Sequence, residues 1–227
     1  MSDIASNISQ IRGQLPPAVK LIAVSKTRTV KDILEAYSAG QKYFGENRVQ
    51  ELLGKRDQLP PDIEWHLIGH PQSNKVKYIV PFISMIQSVD SYKLLSIINN
   101  EASAIKRVVN CLLQIHIASE ETKFGFSMKE LTDAMNITTP DQLGHVRICG
   151  VMGMATYTTD INQVKKEFSY LKDCFNDLKN RYFSTADHFR EISMGMSGDY
   201  KTALEAGSTI VRIGSLIFGE RINPQSK

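Results

Sequence analysis

The chain of 227 residues is poor in the features that tie a protein to a membrane, a metal or an oxidising compartment. Its three cysteines, Cys111, Cys149 and Cys174, lie far apart with no C-x-x-C spacing, so they read as reduced, mostly buried thiols and not as a disulfide framework. The five histidines offer no ligand pair either: only His66 and His70 are close, and W-H-L-I-G-H is a strand running into a glycine turn, not one helix face. No stretch approaches the length of a membrane span, and the first residues lack the basic-then-apolar layout of a signal peptide. The cytoplasm is the expected address, with no membrane partner. The net charge of +3 comes from Lys and Arg scattered in ones and twos, as at Lys55-Arg56 and Lys165-Lys166, so no nucleic-acid surface is expected. Linkers, low-complexity segments and close repeats are also missing, which implies one domain over residues 1–227.

What is present is an alternation. Short apolar runs that suit strands buried on both faces take turns with stripes of helical spacing. Leu21 to Val24 is the first run, and Lys42 to Gly45, Trp65 to Ile68, Met85 to Val89, Val108 to Ile117, Val146 to Val151, Glu191 to Met194 and Thr209 to Ile213 follow. The helices between them carry start signals: Thr29 with Asp32, Glu46-Asn47, Gln72, Asp90 and the capping box Ser127 to Glu130. The longest stripe runs from Val164 to Tyr182, and a shorter helix spans about Gly198 to Ala206. An additional helix carrying Ile4, Ile8 and Ile11 precedes the first strand. Eight strand–helix units with an extra amino-terminal helix predict an α/β fold, a single-domain (β/α)8 TIM barrel; an open six-stranded doubly wound sheet is the alternative.

The residues that carry chemistry fall at predicted strand ends. Lys26 stands two residues after the first run, in K-L-I-A-V-S-K-T. S-M-G-M-S-G (Ser193 to Gly198) follows strand seven, and R-I-G-S (Arg212 to Ser215) ends strand eight, where barrels of this kind often bind phosphate. Small residues let the backbone approach phosphate oxygens, and Ser197 and Ser215 add hydroxyls at helix starts. An amine across the mouth from an anion site suits a phosphorylated carbonyl compound held as a Schiff base. Arg212 is then either a phosphate counter-ion or a partner of a ring nitrogen, where a permanently charged guanidinium disfavours a pyridinium.

Several motifs, in order, extend over nearly the whole chain: A-V-S-K-T (23–27), F-G-E-N-R-V-Q-E (44–51), W-H-L-I-G-H-P-Q-S-N-K (65–75), E-T-K-F-G-F (121–126), S-M-G-M-S (193–197) and V-R-I-G-S-L-I-F-G-E-R (211–221). Together they resemble the pyridoxal phosphate homeostasis proteins. The resemblance implies a barrel similar to the amino-terminal domain of alanine racemase, with pyridoxal 5′-phosphate (PLP) as cofactor. It assigns the Schiff base to Lys26, the phosphate contacts to Ser197, Gly214 and Ser215, a place near the ring nitrogen to Arg212, and a neighbouring position to Asn47. Lys123 stands where the racemases carry an arginine near the cofactor's phenolic oxygen. Pro71 departs from the leucine more usual before Gln72.

The racemases have a second, β-rich domain that supplies a tyrosine to the partner subunit, and this chain runs only thirteen residues beyond Gly214. Racemisation needs acid and base groups on opposite faces of the substrate carbon. Tyr157 and Tyr200 are the loop tyrosines that could substitute. The expected function is therefore a non-catalytic, reversible PLP binder that serves intracellular homeostasis, a monomer or weak homodimer, with PLP-dependent apo-enzymes as recipients. A small PLP-dependent amino-acid racemase is the alternative, and a barrel enzyme acting on a sugar phosphate is a third reading.

Overall fold

The computed structural model describes residues 3–120, 124–137 and 142–220. Eight parallel strands close into a barrel in chain order: β1 (Lys20–Val24), β2 (Tyr43–Glu46), β3 (Glu64–Leu67), β4 (Met85–Val89), β5 (Val109–Gln114), β6 (Val146–Met152), β7 (Glu191–Ser193) and β8 (Ile210–Ile213). The seam is sealed by β1 pairing with β8, where Ile22 lies opposite Arg212. Helix α1 (Ile4–Gln14) precedes the barrel, and α2 (Val30–Ser38), α3 (Val49–Arg56), α4 (Val76–Ile79), α5 (Tyr92–Ala104), α6 (Met128–Ile137), α7 (Ile161–Tyr182), α8 (Tyr200–Glu205) and α9 (Ser215–Phe218) surround it. The open-sheet alternative is thereby set aside.

Alternation along each strand divides the apolar residues between two cores. Leu21, Ala23, Phe44, Trp65, Leu67 and Val151 meet the helices, whereas Ile22, Met85, Leu112, Cys149, Met152 and Ile210 fill the lumen. The stripe on α7 buries Val164, Phe168, Leu171, Phe175 and Leu178, each side chain contributing about 1.5–3 kcal/mol. Thr29 and Asp32 form the expected capping box of α2, and Ser127 and Glu130 bond each other's backbone N–H ahead of α6.

Four local expectations change. Glu46 does not open a helix: it ends β2, fully buried, and α3 begins at Val49. The cap of α5 is Ser91, whose Oγ accepts the Leu94 N–H at 3.3 Å, because Asp90 is taken by His70 Nδ1 at 2.5 Å. The stretch 72–80 divides into a 3-10 turn (Ser73–Lys75) and the short α4, since Gln72, Ser73 and Asn74 are exposed and only Val76 onward has an apolar face to bury. Strand five stops at Gln114, with Ile115 making a lone bridge to Phe126. Cys111, Cys149 and Cys174 are free and buried, as expected. Among the described residues no helix is long and apolar enough to cross a membrane.

Candidate functional site

Strand ends position the site. Lys26, Asn47, Ser197, Arg212, Gly214 and Ser215 all line one cavity of about 760 Å³ at the carboxyl end of the barrel. Lys123 lies outside the described residues. Pro71 is buried ahead of the 3-10 turn and is not among the lining residues, so its departure from the usual leucine does not reach the cavity.

On the β1 side, Lys26 sits in a turn closed by the Arg28 N–H donating to the Ser25 carbonyl at 3.0 Å. The turn carries an unusual backbone, Thr27 at φ +64°, a left-handed conformation that is costly for a β-branched residue. Asn47 follows β2, and its Oδ1 is buried without a hydrogen-bond partner among the described residues. A side chain at position 69 would press a Cβ to 2.5 Å from the Asn47 carbonyl oxygen, so Gly69 is what lets the two loops meet. An orphaned buried amide oxygen at a cavity wall fits a polar ligand, whichever end of the amide faces inward.

On the β7–β8 side, the two glycine-containing motifs become adjoining loops. Gly195, at φ +94°, turns the chain after β7 and its carbonyl accepts the Arg212 N–H at 2.9 Å. The Ser197 Oγ accepts the Gly214 N–H at 3.4 Å, a long contact that leaves the hydroxyl able to turn to a ligand. Arg212 is buried, 3% exposed, and desolvation lowers its pKa to about 10, which still leaves it charged at neutral pH. Its guanidinium donates to Ser193 Oγ at 2.6 Å and to the Gly153 carbonyl at 3.0 Å. Because Ser193 Oγ accepts from Arg212, its own proton goes to Gln87 Oε1 at 2.6 Å. The Gln87 amide N–H then donates to His66 Nδ1 at 2.8 Å, which fixes the imidazole as the Nε2–H tautomer. Burial lowers the His66 pKa to about 3, so the whole relay is neutral except for the guanidinium at its end.

Sequence reasoning missed part of the lining. Arg28 lines the cavity two residues beyond Lys26, its guanidinium donating to the Gly219 carbonyl. The loop after β6 contributes Met154, Thr156, Tyr157 and Thr158. Thr156 is held by Glu167 on α7, which accepts its N–H and its hydroxyl, each at 2.6 Å. A buried acid within the apolar stripe of α7 was the available signal. Of the two loop tyrosines, Tyr200 is buried with its hydroxyl bonded to Gln14, and Tyr157 lines the cavity but is 98% exposed. The lining thus carries Lys26, Arg28 and Arg212 against the single carboxylate of Asp199. That balance favours an anionic ligand. Among the described residues no cluster of three or more His, Cys, Asp or Glu is placed to hold a metal ion.

Fold and site together define a (β/α)8-barrel protein with a lysine amine and a pair of adjoining glycine-containing loops on the walls of one cavity. The family model of the alanine racemase N-terminal domain matches residues 1–222, and curated relatives agree over nearly the whole length. The chain belongs to the alanine racemase N-terminal domain family and, within it, to the family of pyridoxal phosphate homeostasis proteins. It is 38% identical to the homeostasis protein of Aquifex aeolicus (89% of this chain, 87% of the relative) and 34% identical to that of Escherichia coli (97% and 98%). Among solved structures it is similar to PipY of Synechococcus elongatus with PLP bound, at a TM-score of 0.87 and 35% identity over 95% of this chain and 100% of that one. Clostridium difficile alanine racemase shares the fold at a TM-score of 0.75 and 13% identity, and there the match covers 98% of this chain but 58% of the racemase.

Proposed function

We propose that this protein binds pyridoxal 5′-phosphate reversibly and serves the intracellular homeostasis of that cofactor without substantial catalysis of its own. The observation that carries the reading is the convergence of Lys26, Asn47, Ser197, Arg212, Gly214 and Ser215, from four strand ends, on one electropositive cavity. Relatives that bear the homeostasis name match the chain along nearly their full lengths, and PipY has been solved with PLP bound.

The residues present fit the group. Lys26 would be the amine that holds PLP, whose aldehyde would supply a covalent and reversible attachment open to displacement by another amine. Ser197 and Ser215 offer hydroxyls, and Gly214 a close-approaching backbone, to the phosphate. Arg212 donates its hydrogen bonds to neutral acceptors, with Asp199 the one carboxylate on the cavity wall that favours its charge, and it would keep a facing pyridine nitrogen unprotonated and weaken it as an electron sink. The orphaned Asn47 Oδ1 would accept a ligand hydroxyl, and with the amide turned round its N–H would donate to a phenolic oxygen.

A carrier and not a racemase is favoured by the tyrosines. Tyr200 is committed to Gln14, and Tyr157 is 98% exposed to solvent, which argues against either as a preorganised acid or base. Within this reading the protein acts in the cytoplasm, as a monomer or weak homodimer, and its recipients are PLP-dependent apo-enzymes. The deciding experiment adds PLP to the purified protein, records the near-visible absorption band, and traps the adduct with borohydride for peptide mapping. A band that maps to Lys26 and vanishes in Lys26→Ala supports the proposal; a band that survives the substitution overturns the Lys26 assignment. Incubation with L-alanine followed by chiral analysis tests the second clause, since Lys26-dependent racemisation well above free cofactor would make the protein an enzyme.

A further inference from the structure

The F-G-E-N-R-V-Q-E motif puts two carboxylates behind the Lys26 turn, and neither Glu46 nor Glu51 lines the cavity. Glu46 is wholly buried, accepts the Ser25 hydroxyl at 2.6 Å and pairs with Lys55 Nζ at 2.9 Å. The Lys55 ammonium, itself 8% exposed, also donates to the Ser25 carbonyl at 2.8 Å and to Glu51 Oε1 at 2.5 Å. The same Glu51 oxygen accepts the Thr27 N–H. The residues on both sides of Lys26 are therefore gripped by one charged network: Ser25 through its hydroxyl and carbonyl, Thr27 through its N–H.

Thr27 needs such a grip. A β-branched residue in the left-handed region is disfavoured, and the conformation persists only where its surroundings hold it. We propose that Glu46, Glu51 and Lys55 are positioning residues that hold the Ser25–Lys26–Thr27 turn so that Lys26 is presented for covalent capture of its carbonyl ligand. The inference rests on the PLP-binding reading and assigns it a device. Charge-assisted bonds are the stronger class of hydrogen bond, so a backbone N–H received by a carboxylate resists relaxation of the turn more than one facing water.

The test separates capture from binding. Two ligands are titrated: PLP, which can bond Lys26, and pyridoxine 5′-phosphate, whose alcohol cannot. In Glu51→Ala, capture of PLP on Lys26 is expected to fall about ten-fold, the equivalent of one charge-assisted hydrogen bond, while affinity for the alcohol analogue stays within about two-fold. Adding Thr27→Gly to that variant restores capture, because glycine adopts positive φ without help. Unchanged capture, an equal fall for both ligands, or no rescue by Thr27→Gly overturns the inference. If the unmodified protein forms no adduct on Lys26, the PLP reading itself falls and takes the clamp with it.

Discussion

The two walls of the cavity are built from opposite materials. Behind Lys26 lies a network of ionisable groups, Glu46, Lys55 and Glu51, that holds the backbone and hydroxyl groups of its neighbours Ser25 and Thr27. Behind Arg212 lies a file of neutral groups, Ser193, Gln87 and His66, that bonds the guanidinium itself. Asp199 on the cavity wall is the carboxylate that acts on Arg212, and the neutral groups behind the guanidinium add no second one to offset its charge. In the positioning role proposed for them, the groups behind Lys26 act on the conformation of its turn. One wall holds a backbone and the other aims a charge.

The largest expected effect breaks the contrast on the reactive side. Lys26→Ala abolishes the trapped covalent adduct outright while leaving affinity for an aldehyde-free phosphate analogue, read by competition in titrations. Next comes the charged wall: Lys55→Met leaves two carboxylates facing each other, one of them fully buried, and is expected to cost about 3–5 kcal/mol of stability in denaturant melts. The neutral wall is cheaper to break. Gln87→Leu leaves the Ser193 hydroxyl and His66 Nδ1 without their partner, a loss of about 1–3 kcal/mol that melting experiments would detect.

Acid sharpens the comparison, because the walls answer pH with opposite signs. His66 has its folded pKa depressed from 6.5 to about 3, so its contribution is intact above pH 6.5 and is lost as the pH falls toward 3. The loss is about 1.4 kcal/mol per pH unit in that window. His66→Gln, which keeps an acceptor for the Gln87 amide, is expected to flatten the slope in stability measured across a pH series. Burial raises the Glu46 pKa, so that group favours folding below its ordinary value and opposes it as the pH climbs through the folded one. Glu46→Gln is expected to remove that decline. The smallest effect is at the rim: Tyr157→Phe, at a side chain 98% exposed, should change neither adduct formation nor stability. A catalytic change in that variant would instead give Tyr157 a role as acid or base.

Much of this architecture can be read from residues alone. Parallel strands buried on both faces leave continuous apolar runs, and Thr29–Asp32 and Ser127–Glu130 mark helix starts, so eight strand–helix units are countable before any coordinates. The lysine and the two glycine-containing loops were legible for the same reason: each follows a recognisable strand. The supports behind them were not. Glu46 looks like a helix opener because its partner Lys55 is nine positions away on the far end of α3. Gln87 and Ser193 look like ordinary polar residues, since only barrel closure makes their strands face one lumen. Thr156 carries no signal of its own, and the hint lay in Glu167, an acid within the apolar stripe of α7 that holds it.

Closure of the barrel also sets an order in time. β1 is hydrogen-bonded to β8, so Lys26 and Ser215 share a cavity although almost the whole polypeptide separates them. On the ribosome the lysine emerges first, and the loops after β7 and β8 emerge last. Within the proposed PLP-binding reading, preference for a phosphorylated aldehyde would arrive only when the final strand docks, since the loops after β7 and β8 complete the cavity.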